Sequence, residues 1–204
     1  MFPVTLNLTG RAVVVVGGGA VGRRKAAAAH AAGAVVRVID PDPDAAAGRA
    51  APATVVAEAY RPDHLAGACL VFACATPDVN ARVVADARSL GVWVNSASDP
   101  DAGDFALPAV VRRGGLTVAV STGGAAPALA RRVRDKLDGE FDPAFAAWVR
   151  LLGELRHDVL ATIPDPATRR TVLDALADWP WLDRVRAEGI DAVRAAMRAE
   201  VRRA

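Results

Sequence analysis

Three glycines carry the clearest chemical potential in this chain. Val13–Val16 runs directly into Gly17-Gly18-Gly19-Ala20-Val21-Gly22, a G-x-G-x-x-G spacing. In such a turn the first glycine permits a tight exit from a strand. The second lets backbone approach a pyrophosphate, and the third lets the next helix lie close to the sheet. Free N–H groups and the positive end of that helix then face the phosphates. Gly17, Gly19, Ala20, Val21 and Gly22 are therefore the expected phosphate cradle. Asp40, with Pro41 behind it, lies 23 residues after Gly17, near the ~20 at which an acid takes the adenosine ribose diol. A carboxylate there would repel a 2′-phosphate, so the expected cofactor is NAD rather than NADP. Arg23, Arg24 and Lys25 read as a solvated helix face.

Ala75 and Thr76 leave another apolar run, where the second half of a dinucleotide is expected to pass. Asn80 either contacts ligand or opens the next helix. Cys74 has no histidine within ten residues except His64 and reads as a small buried residue rather than a nucleophile. Asn95–Phe105 carries three carboxylates in six residues, Asp99, Asp101 and Asp104. That pattern suits general acid–base work or a metal. It suits equally a solvated turn whose aspartates cap local backbone. Ser121-Thr122-Gly123-Gly124 precedes Pro127, which belongs in a first helical turn. Ser121 or Thr122 would cap that helix. The same geometry makes an anion site with Arg131, Arg132, Arg134 and Lys136, or else a capped helix whose basic residues face water.

The elements that must position these groups alternate. Strands are expected at Val4–Leu8, Ala12–Val16, Ala34–Ile39, Thr54–Ala57, Cys69–Ala73 and Val92–Asn95. Helices are expected at Val21–Ala32, Asp44–Ala50 and Val79–Leu90, with a short turn at Asp63–Leu65. Brief valine-rich runs of this kind fit strands buried on both faces of a parallel, doubly wound α/β sheet. After Pro108 the pattern changes to one strand, Leu116–Ser121, and a basic amphipathic helix, Ala126–Leu137. From about Phe141 only helical spacing remains, broken at Pro164, Pro166 and Trp179-Pro180-Trp181. That tail carries ten arginines and ten acids, which argues against a nucleic-acid arm. The whole chain of 204 residues has 25 basic and 23 acidic side chains, too even a balance for a nucleic-acid binder. No apolar run approaches the ~20 residues of a membrane span, and Met1–Leu8 lacks the features of a signal peptide. Two cysteines fit neither a disulfide framework nor a zinc cluster, and no residue is assigned to a metal. The reading is a cytoplasmic protein without membrane or nucleic-acid partners.

These motifs together resemble the precorrin-2 dehydrogenases, the N-terminal part of siroheme synthase. The resemblance spans nearly the whole chain. It rests on Leu6-Asn7-Leu8 with Gly10, on Val13–Ala26, on Ala75-Thr76 with Asn80, and on Val94-Asn95. It rests also on Asp104-Phe105 with Pro108 and, most specifically, on Val118–Leu137. It implies a Rossmann domain over 1–107, a small dimerisation segment over 108–140 and an all-helical domain over 141–204, in the free-standing form of the enzyme. It implies NAD-dependent oxidation of precorrin-2 to sirohydrochlorin by a homodimer, and in some relatives insertion of Fe²⁺. The polycarboxylate substrate would engage Ser121, Thr122, Gly123, Gly124 and Arg131. The family's aspartate three residues after the asparagine matching Asn95 is here Ser98, and the acid falls at Asp99, which becomes the expected base. Alternative readings are a dinucleotide sensor, or a tetrapyrrole-binding homologue with weakened activity.

Overall fold

Four successive valines, Val13 to Val16, are almost wholly excluded from solvent, as in a strand covered on both faces. They belong to β1 (Ala12–Val16), the centre of a parallel sheet completed by β2 (Val35–Ile39), β3 (Thr54–Val56), β4 (Leu70–Ala73) and β5 (Trp93–Ser96). The computed structural model describes residues 2–42 and 53–203. The helix expected over Asp44–Ala50 lies outside the described residues.

The strand order is β3-β2-β1-β4-β5, all parallel. The winding reverses between β1 and β4, and ligands of such sheets bind at the carboxyl edge of that reversal. Helix α1 (Ala20–Ala31) covers one face, where Ala26 and Ala29 pack with Val13, Val15 and Phe72. Helix α2 (Pro77–Ser89) covers the other, where Val83, Val84 and Ala87 pack with Val14, Val16 and Val71. α1 stops because Gly33 adopts a left-handed φ of 84°, a conformation that costs other residues.

The chain divides into two units, Met1–Leu107 and Pro108–Ala204. The second opens with an antiparallel hairpin of β6 (Ala109–Arg113) and β7 (Leu116–Val120), turned by Gly114-Gly115. Five helices follow: α3 (Pro127–Glu140), α4 (Pro143–Thr162), α5 (Pro166–Leu176), α6 (Trp179–Glu188) and α7 (Ile190–Arg203). α4 to α6 start the same way. Asp142, Asp165 and Asp178 each accept a backbone N–H of the first turn, and a proline follows at the first or second helical position. On α4, Phe145, Trp148, Leu151, Leu155 and Val159 form one buried stripe at helical spacing. It packs against Leu176, Leu182, Val185, Val193 and Met197 of the other helices.

Three expectations differ from the structure. Val4–Leu8 is not a strand. Val4 and Leu6 stay exposed, only Leu8 packs on the core, and the Leu8 carbonyl closes a turn with the Arg11 N–H. β6, which carries Val110 and Val111, has no counterpart in the sequence reading; it pairs with β7 across the Gly114-Gly115 turn. Trp179 and Pro180 open α6 instead of forming a turn, since Pro180 fits a first helical turn and Asp178 caps it. No helix among the described residues is long and apolar enough to cross a membrane.

Leu155 is fully buried at the middle of the α4 stripe. Leu155→Ala should destabilise the helical unit by about 2–5 kcal/mol, the usual cost of such a cavity. Urea unfolding followed by tryptophan fluorescence checks this directly, because Trp148 lies in the same cluster.

Candidate functional site

The glycine turn joins β1 to α1, and each glycine is required for a different reason. Gly17 has φ 101°, and a Cβ there would fall 2.5 Å from the Cys74 carbonyl oxygen. At Gly22 a Cβ would fall 1.8 Å from the Gly17 carbonyl oxygen, so only glycine lets α1 start this close to the strand. At Gly19 a Cβ would meet no atom within 4 Å. The space over Gly19 is therefore open, as a close-approaching pyrophosphate needs. Gly19 is also the N-cap of α1, with no side-chain cap and no acid in the first turn. The positive end of α1, with Ala20 and Val21 exposed on it, is left for an external anion.

Asp40 reaches the same turn from the end of β2. Its Oδ2 accepts the Gly18 N–H at 2.6 Å and its Oδ1 the Asp42 N–H at 2.9 Å. Its carboxylate is thereby pinned beside the phosphate cradle, and Pro41 follows it exposed. Arg23 turns back from α1 and donates to the Gly18 carbonyl at 3.0 Å, so it is part of the turn rather than of a solvated face. These groups fit a dinucleotide. The open cradle at Gly19, the uncapped helix and the fixed carboxylate supply the three contacts that the pyrophosphate and ribose need.

Ala75 and Thr76 leave β4 beside Gly17, at the point where the winding reverses. Asn80, 1% exposed, ties this loop down. Its Oδ1 accepts the Ala75 N–H at 2.9 Å, and its Nδ2 donates to the Ala75 carbonyl and to Ser98 Oγ at 3.0 Å. Thus the loops after β4 and β5 are joined, and Ser98 is the residue that faces the join. Asp99 points elsewhere. Its Oδ1 accepts the Asp101 and Ala102 N–H groups at 3.2 and 3.3 Å, capping the 3-10 turn Pro100–Ala102. The Asp104 carboxylate accepts the Val94 N–H at 2.9 Å. Among the described residues no group of three or more His, Cys, Asp or Glu side chains is arranged to hold a metal.

The main group missed in the sequence is Lys25. It is buried, not solvated, and its Nζ donates to Asn95 Oδ1. The ammonium also lies 5.3 Å from the centroid of the Phe72 ring. Burial holds its pKa below the usual lysine range, opposed by the neighbouring Cys74 thiol. Burial likewise pushes the Cys74 thiol up, which makes it a poor nucleophile. Position 25 is three residues after Gly22, on the α1 face that meets the sheet. Helical periodicity marks that face in the sequence, but a lysine within a basic run conceals it.

Ser121, Thr122, Gly123, Gly124 and Arg131 lie in the second unit. Ser121 Oγ accepts the Gly123 N–H at 3.2 Å, and Thr122 Oγ1 accepts the Ala126 N–H at 3.0 Å. Ala126, not Ser121 or Thr122, is the N-cap of α3, and it has no side-chain cap. Gly123 and Gly124 both have positive φ, 63° and 91°, with open space at each Cβ position. Arg131 and Arg132 are exposed on the first turns of α3.

A family model described as putative NAD(P)-binding matches residues 4–109, and one described as sirohaem biosynthesis protein central matches residues 113–140. A siroheme synthase of Pseudomonas putida strain F1 is 38% identical over 168 residues, covering 80% of this chain and 36% of the relative. One from Gluconacetobacter diazotrophicus is 38% identical over 188 residues, covering 88% of this chain and 40% of the relative. The chain thus spans well under half the length of these relatives. A solved structure titled SirC, precorrin-2 dehydrogenase, superposes with a TM-score of 0.75 at 22% identity over the full length of both chains, a likeness of fold. With more than half of its residues under the first model and the sirohaem central match directly after it, this chain belongs to the putative NAD(P)-binding family.

Proposed function

We propose that this protein oxidises precorrin-2 to sirohydrochlorin with NAD⁺ in siroheme biosynthesis. The observation that carries the reading is the uncapped start of α1 over the open Gly19 position, with Asp40 fixed beside it at the reversal of the sheet. The siroheme synthases and the precorrin-2 dehydrogenase fold neighbour support the choice of substrate. Bound NAD⁺ supplies a hydride acceptor, so each oxidation removes one hydride and one proton from the tetrapyrrole. Gly17, Gly19, Ala20, Val21 and Gly22 hold the pyrophosphate, Asp40 and Pro41 the adenosine ribose, and Ala75 and Thr76 the nicotinamide half. Ser121, Thr122, Gly123, Gly124 and Arg131 receive substrate carboxylates through the positive end of α3 and the arginine charge.

Asp99, the expected base, has its Oδ1 engaged as the cap of the Pro100–Ala102 turn. Orientation of the substrate against the cofactor, with proton loss to water, is the reading that fits this geometry better. A second reading, a homologue that binds tetrapyrrole without oxidising it, is favoured by one observation. Ser98, hydrogen-bonded to Asn80, stands where the resemblance expects a carboxylate.

The three-part organisation belongs to the same proposal: a dinucleotide domain over 1–107, a dimerisation segment over 108–140 and a helical domain over 141–204, acting in the cytoplasm as a homodimer. Leu129 and Val133 lie four apart on α3 and are 53% and 39% exposed. The hairpin's second face, with Arg112, Thr117 and Ala119, is also exposed. Two strands and one helix have too little surface to bury Leu129 and Val133 alone, and a second copy would cover them.

Anaerobic incubation with precorrin-2 should convert it to sirohydrochlorin with NAD⁺ and more slowly with NADP⁺, followed by absorbance. Absence of turnover with retained tetrapyrrole binding selects the second reading. Parallel incubation with Fe²⁺ shows whether metal insertion follows. In that assay Asp99→Asn should keep turnover within about ten-fold of wild type, against the 10²–10⁴-fold loss expected for a general base. Asp40→Ala should weaken NAD⁺ more than NADP⁺ in calorimetric titration, and an unchanged affinity ratio would remove Asp40 from the ribose site. Light scattering at micromolar concentration should give a dimer mass, and Leu129→Asp should shift it toward the monomer.

A further inference from the structure

Lys25 is a buried cation that the proposed reaction does not use, and its surroundings explain why it is there. An ammonium donates only, so a buried one needs an acceptor. Lys25 Nζ finds Asn95 Oδ1, near the carboxyl end of β5. That contact fixes which way the Asn95 amide points, because the flipped form would set its NH₂ against the ammonium. With the oxygen turned to Lys25, Asn95 Nδ2 donates to the Phe105 carbonyl at 2.8 Å. Phe105 in turn packs edge-on against Phe72, at 5.6 Å between ring centroids, and Phe72 is the ring beneath the Lys25 ammonium.

The segment so anchored is the strap that follows β5. It leaves at Ser96, passes Ser98 and Asp99, and returns to pair with β5 through Asp104 N–H to Val94 carbonyl at 2.7 Å. Ser98 Oγ meets Asn80 Nδ2, so the strap also touches the Ala75 loop. One path of contacts therefore runs from the helix that starts at the glycine turn to the loop beside the expected nicotinamide end. We propose that Lys25 is a positioning residue: by orienting the Asn95 amide it holds the Ser96–Phe105 strap closed on the sheet edge and so sets where the substrate meets the cofactor. The role in turnover rests on the dehydrogenase reading above, whereas the strap contact does not.

The test uses Lys25→Met, Asn95→Leu and the double variant in the full chain. In Lys25→Met, hydrogen–deuterium exchange of peptides spanning Ser96–Leu107 should rise about 10-fold while those of β1 stay unchanged. NAD⁺ affinity should stay within about two-fold, and kcat for precorrin-2 should fall about 10-fold or more. The double variant replaces both polar partners by apolar groups of similar shape, which restores stability when the loss is only an unpaired buried group. Its thermal midpoint should return toward that of wild type while turnover stays low, because the Phe105 carbonyl has lost its donor. Turnover that recovers with the midpoint would show a purely structural lysine and overturn the proposal. Unchanged strap exchange in Lys25→Met would overturn it too. If the wild-type protein fails to oxidise precorrin-2, the dehydrogenase reading falls, and strap exchange alone still decides the role of Lys25.

Discussion

Everything at the first unit's candidate site depends on how closely α1 can start behind β1. The Gly22 Cα sits so near the Gly17 carbonyl that any side chain would overlap it, and Gly17 itself is pressed against the Cys74 backbone. That contact draws three segments to one point: the end of β1, the first turn of α1 and the loop after β4. Once they meet, the remaining features follow from ordinary rules. The helix end carries unsatisfied N–H groups and a positive potential. The end of β2 is the next neighbour on one side, which brings Asp40 to the Gly18 amide. The end of β4 is the neighbour on the other, which brings Ala75 and Thr76.

The polar groups beneath that edge form a second layer with a different task. Asn80 and Asn95 are both almost fully buried, and each uses its amide to bind two segments at once. Side-chain amides suit this because they donate and accept in fixed directions. Asn80 ties the β4 loop to the β5 loop, and Asn95 ties α1 to the returning strap. The winding of the sheet explains the need for a strap. After the reversal α2 lies on the face opposite α1, and on the α1 face α1 itself reaches β4 only at Leu70 and Phe72. Phe105 joins that face through its contact with Phe72.

The second unit is built on another principle. Its helices are held by one aliphatic and aromatic stripe on α4, and their starts are set by aspartate caps backed by prolines. The Asp142 carboxylate takes the Phe145 N–H and a guanidinium from Arg186, and these contacts hold it below the usual carboxylate range. The hairpin and α3 are the less enclosed part, with apolar side chains left exposed on α3. The turn Ser121–Gly124 stands at the junction of β7 and α3, where its two positive-φ glycines leave the backbone uncovered.

The sequence by itself determined whatever depends on near neighbours. The glycine spacing, the valine run before it and Asp40 after the next strand suffice for a dinucleotide turn, because each requirement falls within one β-α-β stretch. The helical periodicity of α4 is equally local. Tertiary structure decided what depends on distant partners. β6 is a strand paired with β7, and Val4–Leu8 fails to become one although its alternation suits a strand. Asp99 is turned into a cap by backbone that follows it. Lys25 looks like one member of a basic run, yet it is buried because Asn95, seventy residues away, offers the acceptor that makes burial tolerable. Local spacing records what a residue is able to do, but burial and hydrogen-bond direction are set by whichever segments the fold brings alongside.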